Sequence, residues 1–210
     1  MTTWVVKLGG SLLGSSELAH WLDIFAQFSD GRVVIVPGGG VFADAVRNAQ
    51  KLSQINDNTA HQLAVRAMDQ FGLLLQGINS SLVTANTELE IAERGWQHRA
   101  IVWLPSHMVL ADETIPQSWH VTSDSLAAWL AAKVQAKHLL IVKSVSPSAN
   151  IQDVSSLMQS GLVDMQFDAF ITHQSFHTWI IGKAQFQAFE AGLTEETLQQ
   201  EARYINNERL

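Results

Sequence analysis

The sequence predicts an α/β protein, a three-layer αβα sandwich built around a mainly parallel sheet. Three observations predict it. Short apolar runs alternate with stretches of helical periodicity, as in chains that wind a sheet between two helical layers. The run Val33-Val34-Ile35-Val36 has no polar alternation, the mark of a strand buried on both faces. Two strand-like runs end in glycine turns, Gly9-Gly10 and Gly38-Gly39-Gly40, that lead directly into helical stretches.

The elements follow in order. Residues 1–8 read as a strand, strongest over 4–8. Residues 16–28 place Leu18, Trp21, Leu22, Phe25 and Phe28 at helical spacing. Residues 32–36 form the buried strand, and a helix runs from about Val41 to Gln50. Residues 59–78 repeat the helical pattern through Leu63, Ala67, Phe71, Leu74, Leu75 and Ile78. Residues 100–104 are a strand, and 123–136 a helix capped by Thr122 or Ser123. A strand follows at 139–143 and a helix at 153–160. Residues 167–172 and 178–181 read as strands and 183–191 as a helix. The polar tail from Thr194 reads as a helix that docks or frays.

Composition narrows the function. The chain has 210 residues, which favours one domain with a real core. Hydrophobic residues reach 47% and charged ones 16%, which argues against disorder. No apolar run approaches the roughly 20 residues of a membrane helix. Residues 1–8 lack the basic, apolar and small-residue succession of a signal peptide, so a cytoplasmic address is expected. The absence of cysteine excludes disulfides, thiolate metal sites and cysteine nucleophiles. A net charge of -7 with scattered basic residues argues against a nucleic-acid partner. It does not exclude phosphate ligands, which glycine-loop amides and a few lysines bind locally.

Three segments could carry chemistry. In Lys7-Leu8-Gly9-Gly10-Ser11 a strand ends in a lysine and two glycines before a helix. Backbone amides and a mobile cation would then converge on an anion. This is not a Walker A loop, because the lysine precedes the glycines. A tight turn beside an exposed lysine is the plainer reading. In Val36-Pro37-Gly38-Gly39-Gly40 three successive glycines are costly to order, and a turn needs only one or two. The surplus points to an anion nest, against the alternative of a flexible connection. Thr122-Ser123-Asp124-Ser125 alone is a good helix start. In an open α/β sheet such ends converge on one crevice.

Taken in order, Lys7-Leu8-Gly9-Gly10-Ser11, Pro37-Gly38-Gly39-Gly40 with Phe42-Ala43-Asp44-Ala45-Val46-Arg47, and Ser123-Asp124-Ser125-Leu126-Ala127-Ala128 resemble the amino-acid-kinase superfamily. That superfamily includes acetylglutamate kinase, aspartokinase, uridylate kinase and isopentenyl phosphate kinase. The resemblance covers roughly residues 3–145. It implies that Lys7 neutralises the transferring phosphoryl group and that Asp124 organises the lysines. It implies that Gly9, Gly10, Ser11, Gly38, Gly39 and Gly40 hold the acceptor's anion and the phosphoryl. Arg66, in the next helix, is a further candidate for an acceptor phosphate. ATP with its Mg²⁺ would lie over the C-terminal half, near Lys7, Gly10, Ser123, Lys143 and Ser144. The chain would then be one domain, with acceptor-binding residues up to about 120 and nucleotide-binding residues from about 121. The family often forms dimers or higher assemblies. No covalent enzyme intermediate is expected, since positioning and charge neutralisation carry such transfers.

The downstream part departs from the family pattern. The late strand runs into Lys143-Ser144-Val145-Ser146-Pro147, and the family's Gly-Gly-Met turn is missing. Lys143, at a strand's C-terminal end, or Lys183, after Gly182, would replace the second family lysine, with Lys143 preferred. A kinase-derived regulator without activity is the alternative that the missing turn raises. The short length, the stretch from Trp119 to Ser125 and the segment Ser160-Gly161-Leu162-Val163-Asp164 resemble one branch. Its members are small kinases of methanofuran-type cofactor synthesis, which phosphorylate aminomethyl-furanmethanol phosphate. Other acceptors in the family, a carboxylate, uridylate or isopentenyl phosphate, remain the competing reading. The histidine pair His173 and His177 is not read as a metal site, because its surroundings look extended. His61 and His107 could face the acceptor but are read as surface histidines, Trp21 and Trp129 are read as core, and Asp44 with Arg47 as a surface pair.

Overall fold

The computed structural model describes residues 2–27, 31–147 and 153–207. Seven strands form one sheet: β1 (Thr3–Leu8), β2 (Arg32–Pro37), β3 (Val83–Ala85), β4 (Ala100–Trp103), β5 (His138–Lys143), β6 (His177–Gly182) and β7 (Arg203–Ile205). Their spatial order is β3-β4-β2-β1-β5-β6-β7. Strands β1 to β6 run parallel, and β7 closes the edge antiparallel to β6. The helices are α1 (Ser16–Gln27), α2 (Gly40–Ser53), α3 (Asp57–Ile78), α4 (Glu88–Arg94), α5 (Ser106–Val109), α6 (Ser123–Lys133), α7 (Val154–Gln159), α8 (Phe167–Ile171) and α9 (Glu195–Glu201). None of the described helices is long and apolar enough to cross a membrane.

Strand periodicity divides the interior into two cores. Val5, Val34, Leu139 and Ile141 pack beneath Leu126, Ala127 and Leu130 of α6. Trp4, Val6, Val33, Ile35 and Leu140 pack against Leu18, Trp21, Leu22 and Phe25 of α1. Lys7 follows the parity of Val5, and Lys143 that of Leu139 and Ile141. Both lysines therefore face the α6 side. Helix α6 can be buried almost all round because it is made of small and apolar residues, with Ala127, Ala128 and Ala131 fully covered.

Several expected elements differ. Of the residues 167–172 expected as a strand, Phe167–Ile171 fold as helix α8 and Thr172 caps it. Phe167 and Ile171, four apart, are both buried, and a short apolar run cannot be assigned from period alone. Residues 183–189 form a 3₁₀ helix whose start is tied to α1, Trp21 Nε1 donating to the Lys183 carbonyl at 2.9 Å. The tail makes α9 and then the edge strand β7. Helix α6 ends at Lys133, and Gln135 turns with a left-handed φ of 50° into β5. Neither Thr122 nor Ser123 caps it with its own side chain. Strand β3 and helices α4 and α5, of three, seven and four residues, were too short to stand out. Phe28, expected to extend the α1 stripe, lies outside the described residues, as does Met1.

The two glycine turns touch. A Cβ on Gly10 would lie 2.2 Å from the Gly40 Cα and N, and one on Gly38 would lie 2.5 Å from the Gly10 N. Gly40 also takes a left-handed φ of 52°. The glycines thus serve close backbone packing of two loops, a demand beyond ligand approach. Gly10→Ala should lower stability by about 2 kcal/mol through overpacking. Gly77, on an open face of α3, has nothing within 4 Å of its Cβ position. Gly77→Ala should raise stability by about 0.5–1 kcal/mol. Urea unfolding of both variants checks the contrast, and equal stabilities would contradict it.

Candidate functional site

The site is built where β1, β2 and β5 end. β1 lies between β2 and β5, so the chain's progression across the sheet reverses at β1, and open α/β sheets leave a crevice at such a place. Lys7 pairs in register with Ile141, which sets Lys143 two residues further along the neighbouring strand and on the same face. Helix α6 crosses that face and presents Asp124 from its first turn, where the helix dipole favours an anion. The Asp124 carboxylate lies 2.8 Å from Lys7 Nζ and 2.7 Å from Lys143 Nζ. Lys143 also donates to the second carboxylate oxygen at 2.9 Å.

Lys7 and Asp124 are buried, 5% and 4% exposed, and the Lys143 side chain is 13% exposed. Burial pushes the Asp124 carboxyl up, but the ammonium groups of Lys143 and Lys7 more than reverse this and hold it at about 2. Burial pulls Lys143 down to about 8; Asp124 opposes the change and the neighbouring Lys7 charge adds to it. One carboxylate thus faces two ammonium groups, and among the described residues their ion pairs go to Asp124 alone. The buried cluster carries a net positive charge. A second anion entering beside the lysines would offset the cost of holding them there.

The glycine turns adjoin this cluster. A Cβ on Gly9 would lie 3.6 Å from Lys7 Nζ. A cleft of about 420 Å³ opens next to it, with Gly10, Ser11 and residues 38–40 on one wall and Thr122 and Ser123 on another. Lys7, Asp124 and Lys143 do not line that cleft; they border it through Gly10 and Ser123. The cleft continues past Arg47 of α2, His61, Val65 and Met68 of α3, and Trp119. The Arg47 guanidinium lies 4.5 Å over the Trp119 ring and pairs with Asp44 at 2.9 Å. Trp119 is fixed in turn, Nε1 donating to Gln50 at 2.7 Å. His61 is buried, which pulls its pKa down against the hydrogen bond it donates to the Ser118 backbone.

The expected residues separate into those brought together and those not. Lys7, Gly9, Gly10, Ser11, Gly38, Gly39, Gly40, Ser123, Asp124 and Lys143 gather in one region. Arg66 does not. It is exposed on α3 and donates to the Gln62 carbonyl, because the wall positions of α3 are His61, Val65 and Met68, and residue 66 lies about 100° round the helix from residue 65. Ser144 is exposed beyond the end of β5, away from the cleft wall. Lys183 points to Glu17 of α1, at 3.3 Å, so Lys143 is the lysine that reaches Asp124. His107 does not line the cleft. His173 turns with a left-handed φ of 61°, and no group of three metal-ligating side chains occurs among the described residues.

Sequence reasoning passed over Arg47 and Trp119 as site residues and preferred a surface position for His61, which is buried and lines the cleft. The spacing Gly40, Ala43, Asp44, Arg47 marks one face of α2 running back to the triple glycine, and was the available signal for Arg47. Trp119 carried no such signal, since its position depends on contacts from α2, 69 residues away in sequence.

Residues 2–147 match the model described as the amino acid kinase family. A [5-(aminomethyl)furan-3-yl]methyl phosphate kinase from Methanocaldococcus jannaschii is 30% identical over 142 residues, 67% of this chain and 65% of that relative. The matched region thus spans a little under two thirds of the relative's length. The uridylate kinase of Archaeoglobus fulgidus superposes with a TM-score of 0.62 at 20% identity, covering 86% of this chain and 90% of that one. The UMP kinase of Bacillus anthracis gives 0.66 at 13% identity, covering 98% and 96%. The aspartate kinase of Synechocystis gives 0.62 at 14% identity, covering 87% of this chain and 38% of its own. These solved structures share the fold, and the family match over residues 2–147 goes further: the chain belongs to the amino acid kinase family.

Proposed function

We propose that this protein is an ATP-dependent kinase that phosphorylates a small phosphate monoester, of the aminomethyl-furanmethyl phosphate class, to a diphosphate. The observation that carries the reading is the buried Lys7–Asp124–Lys143 cluster beside two touching glycine turns. An acceptor phosphate oxygen attacks the γ-phosphorus of ATP, the bond from that phosphorus to the bridging oxygen breaks, and ADP leaves. Lys7 and Lys143 neutralise the charge on the transferring group, and the amides of the glycine turns hold its oxygens. Asp124 keeps the two ammonium groups apart and aimed. The acceptor occupies the cleft and the nucleotide the ends of β5 and β6, so the N-terminal and C-terminal halves divide the labour within one domain. Arg47 replaces Arg66 as the cation for the acceptor's own phosphate, and the Trp119 and Met68 walls suit a flat ring. The name of the Methanocaldococcus jannaschii relative supports the choice of acceptor.

Magnesium fits as part of the nucleotide substrate. The buried acid of the site, Asp124, is committed to two lysines, and no cluster of three acidic or histidine ligands occurs among the described residues. Mg²⁺ retains waters readily and is commonly held by substrate phosphates, so the chain need not cage it.

ADP release should be seen with aminomethyl-furanmethyl phosphate and not with UMP, isopentenyl phosphate, aspartate or acetylglutamate. Turnover of UMP instead would overturn the acceptor assignment, and no ADP with any acceptor would overturn the kinase reading. Lys7→Ala should lower kcat at least ~100-fold. It should leave the fold intact, because Asp124 keeps Lys143.

The alkaline limb of kcat/KM follows Lys143 in the free enzyme. With its ammonium lost as pH rises through about 8, kcat/KM should fall above that pH. Any activity left in Lys143→Arg should lack this limb, because arginine stays charged. A limb unchanged in Lys143→Arg would assign it elsewhere.

Arg47→Ala should raise the acceptor KM at least ~10-fold, the usual cost of a charged hydrogen bond. It should leave the ATP KM unchanged, and Arg66→Ala should change neither. Steady-state kinetics on both substrates decides this.

A further inference from the structure

The N-terminus of α6 is held from outside its own segment. Thr122 stands at the cap position and makes no side-chain cap bond to the helix. Its place is taken by Asp164, some forty residues away in sequence. The Asp164 carboxylate accepts from the Thr122 amide at 2.9 Å, the Thr122 hydroxyl at 2.9 Å and the Ser125 amide at 3.0 Å. It also accepts from the Ser125 hydroxyl and from the Gln166 amide. The Gln166 amide in turn donates to the His120 carbonyl at 3.2 Å. The turn is rooted by Val163 and Phe167, both buried in the core beneath α6.

This set of bonds is more than a cap. Thr122 and Ser123 form the cleft wall, and Asp124, between the two residues Asp164 grips, is the partner of both lysines. Each amide bond to a carboxylate is charge-assisted and directional. Together they fix the rotation and axial position of the first turn of α6. From these contacts we infer that Asp164 is a positioning residue: it sets Asp124 against Lys7 and Lys143 and aligns the Trp119–Ser123 wall with the cleft. The inference rests on the kinase reading for its catalytic consequence, but its geometric part does not.

The test compares Asp164→Asn with Asp153→Asn. Asp153 caps α7 by accepting from the Ser156 amide at 2.7 Å, and it is exposed. It reports what the loss of an ordinary cap does. Asp164→Asn keeps the shape but offers an NH₂ to amides that need an acceptor. It should lower kcat ~10- to 100-fold, the scale of a misplaced catalytic group. Asp153→Asn should leave kcat unchanged. The second readout needs no turnover. Acetic anhydride labelling of Lys143, quantified by peptide mass spectrometry at neutral pH, should be several-fold faster in Asp164→Asn than in the wild type or Asp153→Asn, because a loosened Asp124 leaves that amine less protected. A wild-type labelling rate and kcat in Asp164→Asn would overturn the inference. If Asp164→Asn does not fold, Thr122→Val combined with Ser125→Ala removes two of the gripping donors and is judged by the same two readouts. If the wild type forms no ADP with any acceptor, the kinase reading fails while the labelling result still decides the role of Asp164.

Discussion

Two ammonium groups share one carboxylate in the interior of this protein, and the rest of the site is arranged around that imbalance. A buried ion pair is expensive to desolvate, and a buried excess charge more so. The sequence accepts this cost at the junction of β1, β5 and α6, where the helix dipole already favours Asp124. What results is a pre-aimed pocket with one positive charge in excess, which an incoming anion would complete. Lys7 and Asp124 are buried and Lys143 nearly so, so these charges interact at a lower dielectric than at the surface.

The surrounding structure holds this geometry by means that differ in strength. Strand pairing fixes the lysines: Lys7 and Lys143 are on adjacent parallel strands in a register that a one-residue slip would invert. The glycine turns are fixed by contact, each leaving no room for a side chain on the other. The aspartate depends on the setting of α6, and there the grip of Asp164 replaces a local hydroxyl cap. The cleft wall is the most remotely determined part, since Trp119 takes its orientation from Gln50 and stacks on Arg47.

That ranking explains what could be read from the sequence. The parallel sheet was legible because its inner strands are uniformly apolar and end in glycines. The lysines, both glycine turns and Asp124 were legible because each stands at the end of such a strand or the start of a clear helix. Residues 167–171 were misread because two buried side chains four apart look the same as a short strand until a neighbour covers them. Arg66 was a candidate because it sits on an amphipathic helix, and only the packing of α3 shows that residue 66 faces outward; Arg47, read as half of a surface pair with Asp44, keeps that pair and lines the cleft as well. Asp164 and Trp119 act across some 40 and 69 residues, and such partnerships leave no local pattern.

The claim on which everything turns is that the two lysines wait for a phosphoryl group. A crystal structure with a non-hydrolysable ATP analogue and Mg²⁺ tests it most directly. Both Lys7 Nζ and Lys143 Nζ should lie within about 3 Å of γ-phosphate oxygens, with the glycine-turn amides on the same group. A nucleotide whose γ-phosphate lies elsewhere, with both ammonium groups still turned only to Asp124, would contradict it.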